Sequence, residues 1–140
     1  MTDDRLVPDL LARRTGAGTY TVRVSSGAEL RISGDGSEGK FSPVELLQAA
    51  LAGCAALSAE AQLASQLGAD FEASATVAGD YNPEEKRVEK LTTTITADMS
   101  DLTAEKRERL STNAERMVDK LCVVKHSLET GVEPVTDVSD

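Results

Sequence analysis

From Pro43 to Leu67 the chain reads PVELLQAALAGCAALSAEAQLASQL, with two charged residues, Glu45 and Glu60, and none between Leu46 and Ala59. Its start is heavily marked. Ser42 is a good N-cap, because its hydroxyl can accept one of the first helical N–H groups, and Pro43 fits the first helical position, where no N–H is needed. Glu45, three residues after Ser42, completes a capping box, and Phe41 with Leu46 can form a hydrophobic staple. Gly68 is a stop signal. The spacing predicts a helix over 43–67, about 37 Å long from the rise per residue. Its apolar residues form no stripe; they run nearly all the way round as far as Ala59. A helix of that kind is buried on most sides. A 140-residue chain has few ways to surround it, and the core of a homodimer is one. A membrane is a poorer one, because the uncharged run is shorter than the about 20 residues that a span needs.

A chain of this size is expected to be one domain, residues 1–140, large enough for a core without metal or disulfide staples. Aromatic residues are scarce, with no Trp, two Tyr and two Phe, so the core must be built of Ala, Leu, Val and Ile. So thin a core also favours completion by a second copy. The net charge of −9 repels phosphate backbones and anionic lipid, so neither nucleic acid nor membrane is an expected partner. The segment Met1-Thr2-Asp3-Asp4-Arg5 is acidic and no apolar run follows it. No export signal is read there, and a cytoplasmic location is expected. In that compartment two cysteines point to redox or metal chemistry rather than to a structural disulfide. A buried free Cys is also an ordinary core residue.

Along the chain, residues 1–18 are polar and are read as a mobile or irregular arm carrying Arg13 and Arg14. Tyr20, Val22 and Val24 alternate with polar residues, as do Ala28, Leu30 and Ile32, with Ser26-Gly27 between them. This is a hairpin with one buried face. The loop 34–39 holds three glycines but lacks the strand–helix context of a phosphate site. After the long helix, Ala73, Ala75 and Val77, then Leu91, Thr93, Ile95 and Ala97, mark a second hairpin with a charged tip at 81–87. Residues 103–118 form an amphipathic helix with Leu110, Ala114, Met117 and Leu121 on one face. A short helix after Cys122 ends near Gly131, and a last strand is expected from Val132 to Val138. The class is α+β.

Cys54 lies inside the long helix and Cys122 lies 68 positions later. Cys54 is the twelfth residue from Pro43, beyond the first turn where a helix dipole acts, so its own helix cannot lower its pKa. Burial among Ala and Leu should raise it. A nucleophilic Cys54 therefore needs a cation from elsewhere. Arg13 and Arg14 are the candidates, since a guanidinium can hold a thiolate and bind a developing oxyanion. By pattern alone the same pair reads as a solvated doublet. A Cys–His nucleophile pair would have to use His126, the only histidine. Cys122 and His126 are also i,i+4 and could face one metal ion with Cys54 as a third ligand. No C-x-x-C is present and the ligands are sparse, so neither a metal nor a cofactor site is assigned. The paired carboxylates, such as Glu84-Glu85, lie in exposed runs.

Ser42-Pro43-x-Glu45-Leu46-Leu47 leading through an Ala-rich helix to Gly53-Cys54, with Cys122 before a Val-x-x-Ser-Leu-x-x-Gly-Val ending, resembles the OsmC/Ohr family of osmotically inducible and organic hydroperoxide resistance proteins. The resemblance covers nearly the whole chain. It implies the OsmC-like fold: β-hairpins around a long central Cys-bearing helix, in an intertwined homodimer with the Cys helices at its centre. It also implies thiol-dependent reduction of organic hydroperoxides. Cys54 would be the peroxidatic thiolate and become a sulfenic acid. Cys122 would resolve it as a disulfide, and an external dithiol, lipoyl-linked in some members, would reduce the pair. An arginine near the N-terminus activates the thiolate in the family, and Arg13 and Arg14 both resemble it by position.

Two departures mark a divergent branch. Hydroperoxide-resistance members place a glutamate ten residues before the peroxidatic Cys to hold that arginine; this chain has Val44 there. Glu45 is adjacent, but one residue is about 100° around a helix, and its capping role already accounts for it. The residue after the second Cys is often Pro in the family, and here it is Val123. The candidate catalytic set is Cys54, Cys122, Arg13, Arg14 and Glu45. The alternative is a non-catalytic OsmC-like domain that binds a small apolar ligand or senses oxidants.

Overall fold

The computed structural model describes residues 5–140, in two compact units, up to Leu47 and from Gln48 onward. The expected arm therefore lies partly outside the described residues, at 1–4. In the first unit, β1 (Leu11–Gly16), β2 (Thr19–Arg23) and β3 (Glu29–Ser33) form an antiparallel sheet in the order β1-β2-β3. The hairpin expected over 19–33 is present. The arm is not irregular throughout: residues 11–16 pair with β2, Leu11 opposite Arg23 and Arg14 opposite Tyr20. The turn between these strands uses Gly18 at φ 61°, a conformation open to Gly without steric cost. Val22 is buried, whereas Tyr20 and Val24 stay exposed, so the expected apolar face is only partly covered.

α1 spans Pro43–Leu67, and its capping box forms as expected. The Ser42 N–H donates to Glu45 Oε1 at 2.8 Å, and the Glu45 N–H donates to Ser42 Oγ at 3.2 Å. Gly36, at φ 67°, lies so close to the Glu45 carboxylate that a side chain there would collide with it.

The second unit holds the rest of α1, then β4 (Ala73–Asn82), β5 (Arg87–Ala97), α2 (Ala104–Leu121) and α3 (Val123–Thr130). β4 and β5 form the second hairpin, with Ala75 opposite Ile95 and Val77 opposite Thr93. Thr103 caps α2, accepting the Lys106 N–H. Two apolar clusters make the core. One joins Leu51, Ala55 and Cys122 with Val77, Leu91, Ile95, Val118 and Val124 around them. The other joins Ala59, Leu63 and Leu110. The strand expected at 132–138 is absent: residues 131–140 take no regular structure. Pro134 cannot donate to a ladder there.

The burial of α1 differs from expectation in an informative way. Only Leu51, Ala55, Ala59 and Leu63 are buried, a single stripe at every fourth residue. Ala49, Ala50, Gly53 and Ala61 are exposed, and Leu57 is 74% exposed. The chain thus covers one side of a helix that is apolar on nearly all sides. The uncharged run is short, but α1 as a whole is long and apolar enough to cross a membrane by length and composition. Its buried stripe packs in the protein's own core instead.

Candidate active site

Cys54 and Cys122 meet in the first core cluster. Both are free thiols. Cys54 projects from α1 beside Leu51 and Ala55, and the Ser58 hydroxyl donates to its carbonyl at 2.7 Å. Cys122 occupies the joint between two helices. Its N–H donates to the Val118 carbonyl at 3.0 Å, ending α2. Its sulfur accepts the Lys125 N–H at 3.4 Å, capping α3. The extended backbone at Cys122, φ −74° and ψ 101°, breaks the helical path and starts α3 anew.

A helix start leaves its first N–H groups without intrahelical acceptors. In α3 the third is taken by the Cys122 sulfur, and Val124 packs in the cluster that holds Cys54. The consequence is a split between the thiols. The Val124 N–H holds the Cys54 thiol below its ordinary pKa, helped by the Cys122 thiol and the Val123 N–H against the opposing effect of burial. Cys122, fully buried, is pushed up by desolvation, and a neighbouring Cys54 thiolate raises it further. Burial pushes the Cys54 pKa up, as expected, but the hydrogen-bond donors around the thiol outweigh it. Its own helix cannot help it, but a second helix start can.

The other candidate residues are placed as follows. Arg13 and Arg14 are both exposed on β1 of the first unit, opposite Thr21 and Tyr20. As neighbours in a strand they point to opposite faces of the sheet. Glu45 is engaged in the α1 capping box, where the Ser42 N–H and side chain hold its carboxyl below the usual carboxylate value. His126 is exposed, with Nε2 2.6 Å from the Asp119 carbonyl oxygen. Lys125 lends only its backbone to Cys122; its ammonium pairs with Asp119 and, at 2.9 Å, with Glu129. Sequence reasoning missed the Val123 and Val124 amides. The one available signal was the lack of Pro at 123, which leaves an N–H there.

A family model described as OsmC-like protein matches residues 34–136. An uncharacterised protein of Mycobacterium tuberculosis is 33% identical over 131 residues, covering 94% of this chain and 96% of its own length, and one of Mycobacterium bovis matches to the same extent. Among solved structures, a hypothetical protein from Aquifex aeolicus superposes with a TM-score of 0.69 at 16% identity, covering 89% of both chains. The organic hydroperoxide resistance protein OhrB of Bacillus subtilis superposes with a TM-score of 0.56 at 19% identity, covering 87% of this chain and 90% of its own.

Proposed function

The chain belongs to the OsmC-like protein family, and from that premise we propose that it reduces organic hydroperoxides through Cys54 and Cys122. The observation that carries this reading is the meeting of the only two cysteines in one core cluster, with their proton affinities moved in opposite directions. A peroxidatic thiol must be a thiolate at working pH, and a resolving thiol need not be.

The Cys54 thiolate attacks the outer oxygen of R–O–O–H. The O–O bond breaks, the sulfur becomes a sulfenic acid, and the departing alkoxide takes a proton to leave as the alcohol. Cys122 then attacks the sulfenic sulfur, expelling water and forming the Cys54–Cys122 disulfide. An external dithiol, lipoyl-linked or similar, reduces that bond and is itself oxidised to a disulfide. No bound cofactor is needed for this cycle. The location is the reducing cytoplasm. The protein works as a homodimer in which the open face of α1, with Gly53 and Leu57, packs against a second copy.

Purified protein supplied with dihydrolipoamide should consume cumene hydroperoxide faster than hydrogen peroxide. Cys54→Ser should show none of that turnover, and a stoichiometric peroxide pulse should cost the wild type two hydrogens in intact mass. Turnover equal to that of Cys54→Ser, starting from reduced thiols, would sink the reading. Light scattering that finds a folded monomer at micromolar concentration would remove the dimer. A second reading, non-catalytic binding of a small apolar ligand, draws on a groove of about 270 Å³ lined by Ala56, Leu63, Phe71 and Ile95, with Glu60 at its side. It predicts no peroxide turnover and leaves the split between the thiols without a task.

A further inference from the structure

We propose that the Cys122 sulfur is a redox-sensitive latch on α3: as a thiol it closes the start of that helix, and as half of a disulfide with Cys54 it lets the start open. The latch rests on the same pairing of thiols as the peroxidase reading, but that pairing can be driven without a peroxide.

The attachment of α3 is slight apart from its start. None of its 8 residues is buried, and among its side chains Val124 alone joins a core cluster. So short a helix does not hold itself together in water. At its start the Cys122 sulfur accepts the Lys125 N–H at 3.4 Å, and the Cys122 carbonyl accepts the His126 N–H at 3.0 Å. No acidic side chain stands in the first turn to replace the sulfur as acceptor. Two further ties reach back to one residue of α2. The Lys125 ammonium pairs with the Asp119 carboxylate, and His126 Nε2 lies 2.6 Å from the Asp119 carbonyl oxygen. Both are solvent-exposed, and an exposed ion pair contributes little.

The sulfur is the part of this arrangement that oxidation can change. Joined sulfurs lie about 2 Å apart. Here both thiols are free, so forming the bond requires one sulfur to move. Cys54 is fixed inside the 25-residue α1, between the buried Leu51 and Ala55. Cys122 stands at a break, with extended backbone between α2 and α3. The movement therefore falls on Cys122. A sulfur turned towards Cys54 no longer caps the Lys125 N–H, and that donor loses its acceptor. In the proposed cycle the two thiol hydrogens pass to the hydroperoxide, which leaves as alcohol and water. The latch thus opens when the external dithiol has to reach a disulfide, one sulfur of which, on Cys122, is fully buried in the reduced protein.

The test is amide hydrogen exchange across α3 in the full chain, read by NMR before and after oxidation with diamide. Diamide takes up two thiol hydrogens at its N=N bond and leaves a disulfide, so no peroxide chemistry is involved. An intact mass lower by two hydrogens and a joined Cys54–Cys122 peptide establish the pairing. Exchange at the Lys125 N–H and its α3 neighbours should rise about fivefold or more, the order expected for a lost helix cap. The Glu45 N–H at the α1 start should keep its rate. Cys122→Ser keeps an oxygen cap and forms no disulfide, so its α3 should exchange slowly before and after diamide. Cys54→Ser keeps the thiol cap and should likewise not respond. The proposal is overturned if diamide forms no Cys54–Cys122 disulfide, if the disulfide forms and α3 keeps its reduced-state rates, or if α3 loosens as much in Cys54→Ser. If α3 loosens on oxidation of a protein that consumes no hydroperoxide, the latch stands and the peroxidase reading falls. Hydroperoxide turnover with α3 unchanged in the disulfide form would leave the reading standing and remove the latch.

Discussion

α1 and α3 solve the same problem at their starts in opposite ways. Each begins with N–H groups that its own turns cannot satisfy. α1 closes its start locally: Ser42 and Glu45 exchange hydrogen bonds across three residues, and nothing distant is needed. α3 closes its start with a thiol. Cys122 takes the Lys125 N–H through its sulfur, in a core cluster that also holds Cys54, from 68 residues earlier in the chain. A helix start satisfied by its own side chains is a structural device. One satisfied by thiols is a place where protonation and oxidation can be felt.

Cys122→Ala bears on this contrast most strongly, because that one sulfur caps α3 and, in the proposed cycle, resolves the oxidised thiol. Steady-state peroxide turnover with a dithiol should drop about tenfold or more, while the first oxidation of Cys54 still occurs. Stability should fall by about 1–2 kcal/mol, from the lost cap and a small cavity in the core. Cys122→Ser keeps a cap and a donor, so it should lose the turnover but little of the stability. Denaturant titration beside single- and multiple-turnover kinetics separates the two effects. If Cys122→Ala were as stable as wild type, the sulfur would not be holding the start of α3.

Ser42→Ala is the matching test at α1. It removes the acceptor of the Glu45 N–H, and a lost N-cap of this kind costs about 1 kcal/mol. The titration of Cys54 should not change, because nothing at the α1 start donates to that sulfur. A shifted Cys54 titration would mean that the two helix starts are coupled, and the contrast drawn here would fail.

The same contrast explains what could be read in advance. The α1 start was legible because every group in it lies between Phe41 and Leu46, so spacing alone identifies cap, box and helix. The end at Gly68 and the hairpins at 19–33 and 73–97 were legible for the same reason. The pairing of Cys54 with Cys122 came from family resemblance, because no local pattern joins residues so far apart. The fall in the Cys54 pKa could not be read at all. It depends on backbone amides, which every residue but proline has, and on a tertiary approach that brings them to one sulfur. β1 was missed because Arg13-Arg14-Thr15 shows no apolar alternation, although its backbone pairs with β2. The strand expected at 132–138 failed for the converse reason: alternating valines do not make a strand without a neighbour to pair with.

The smallest effect, and the sharpest check on the sign of the electrostatics, lies in the pH dependence of stability. The Glu45 carboxyl is held below its ordinary value of 4.5, first by the Ser42 N–H. A lowered folded pKa means that the stabilisation is complete above the unfolded value and is lost as pH falls through the folded one. Glu45→Gln keeps an acceptor but not the charge. Its deficit against wild type should be modest near neutrality and should vanish in acid. The Cys54 thiol is likewise lowered, from an ordinary value of 9.0. Its contribution is therefore complete only in alkali and is lost as pH falls through its folded value. Comparing wild type with Glu45→Gln and with Cys54→Ser by denaturant titration across pH should reveal two separate windows, acidic for the α1 start and alkaline for the Cys54 thiol. A Cys54→Ser deficit that did not grow towards alkaline pH would show that the folded protein does not favour the Cys54 thiolate.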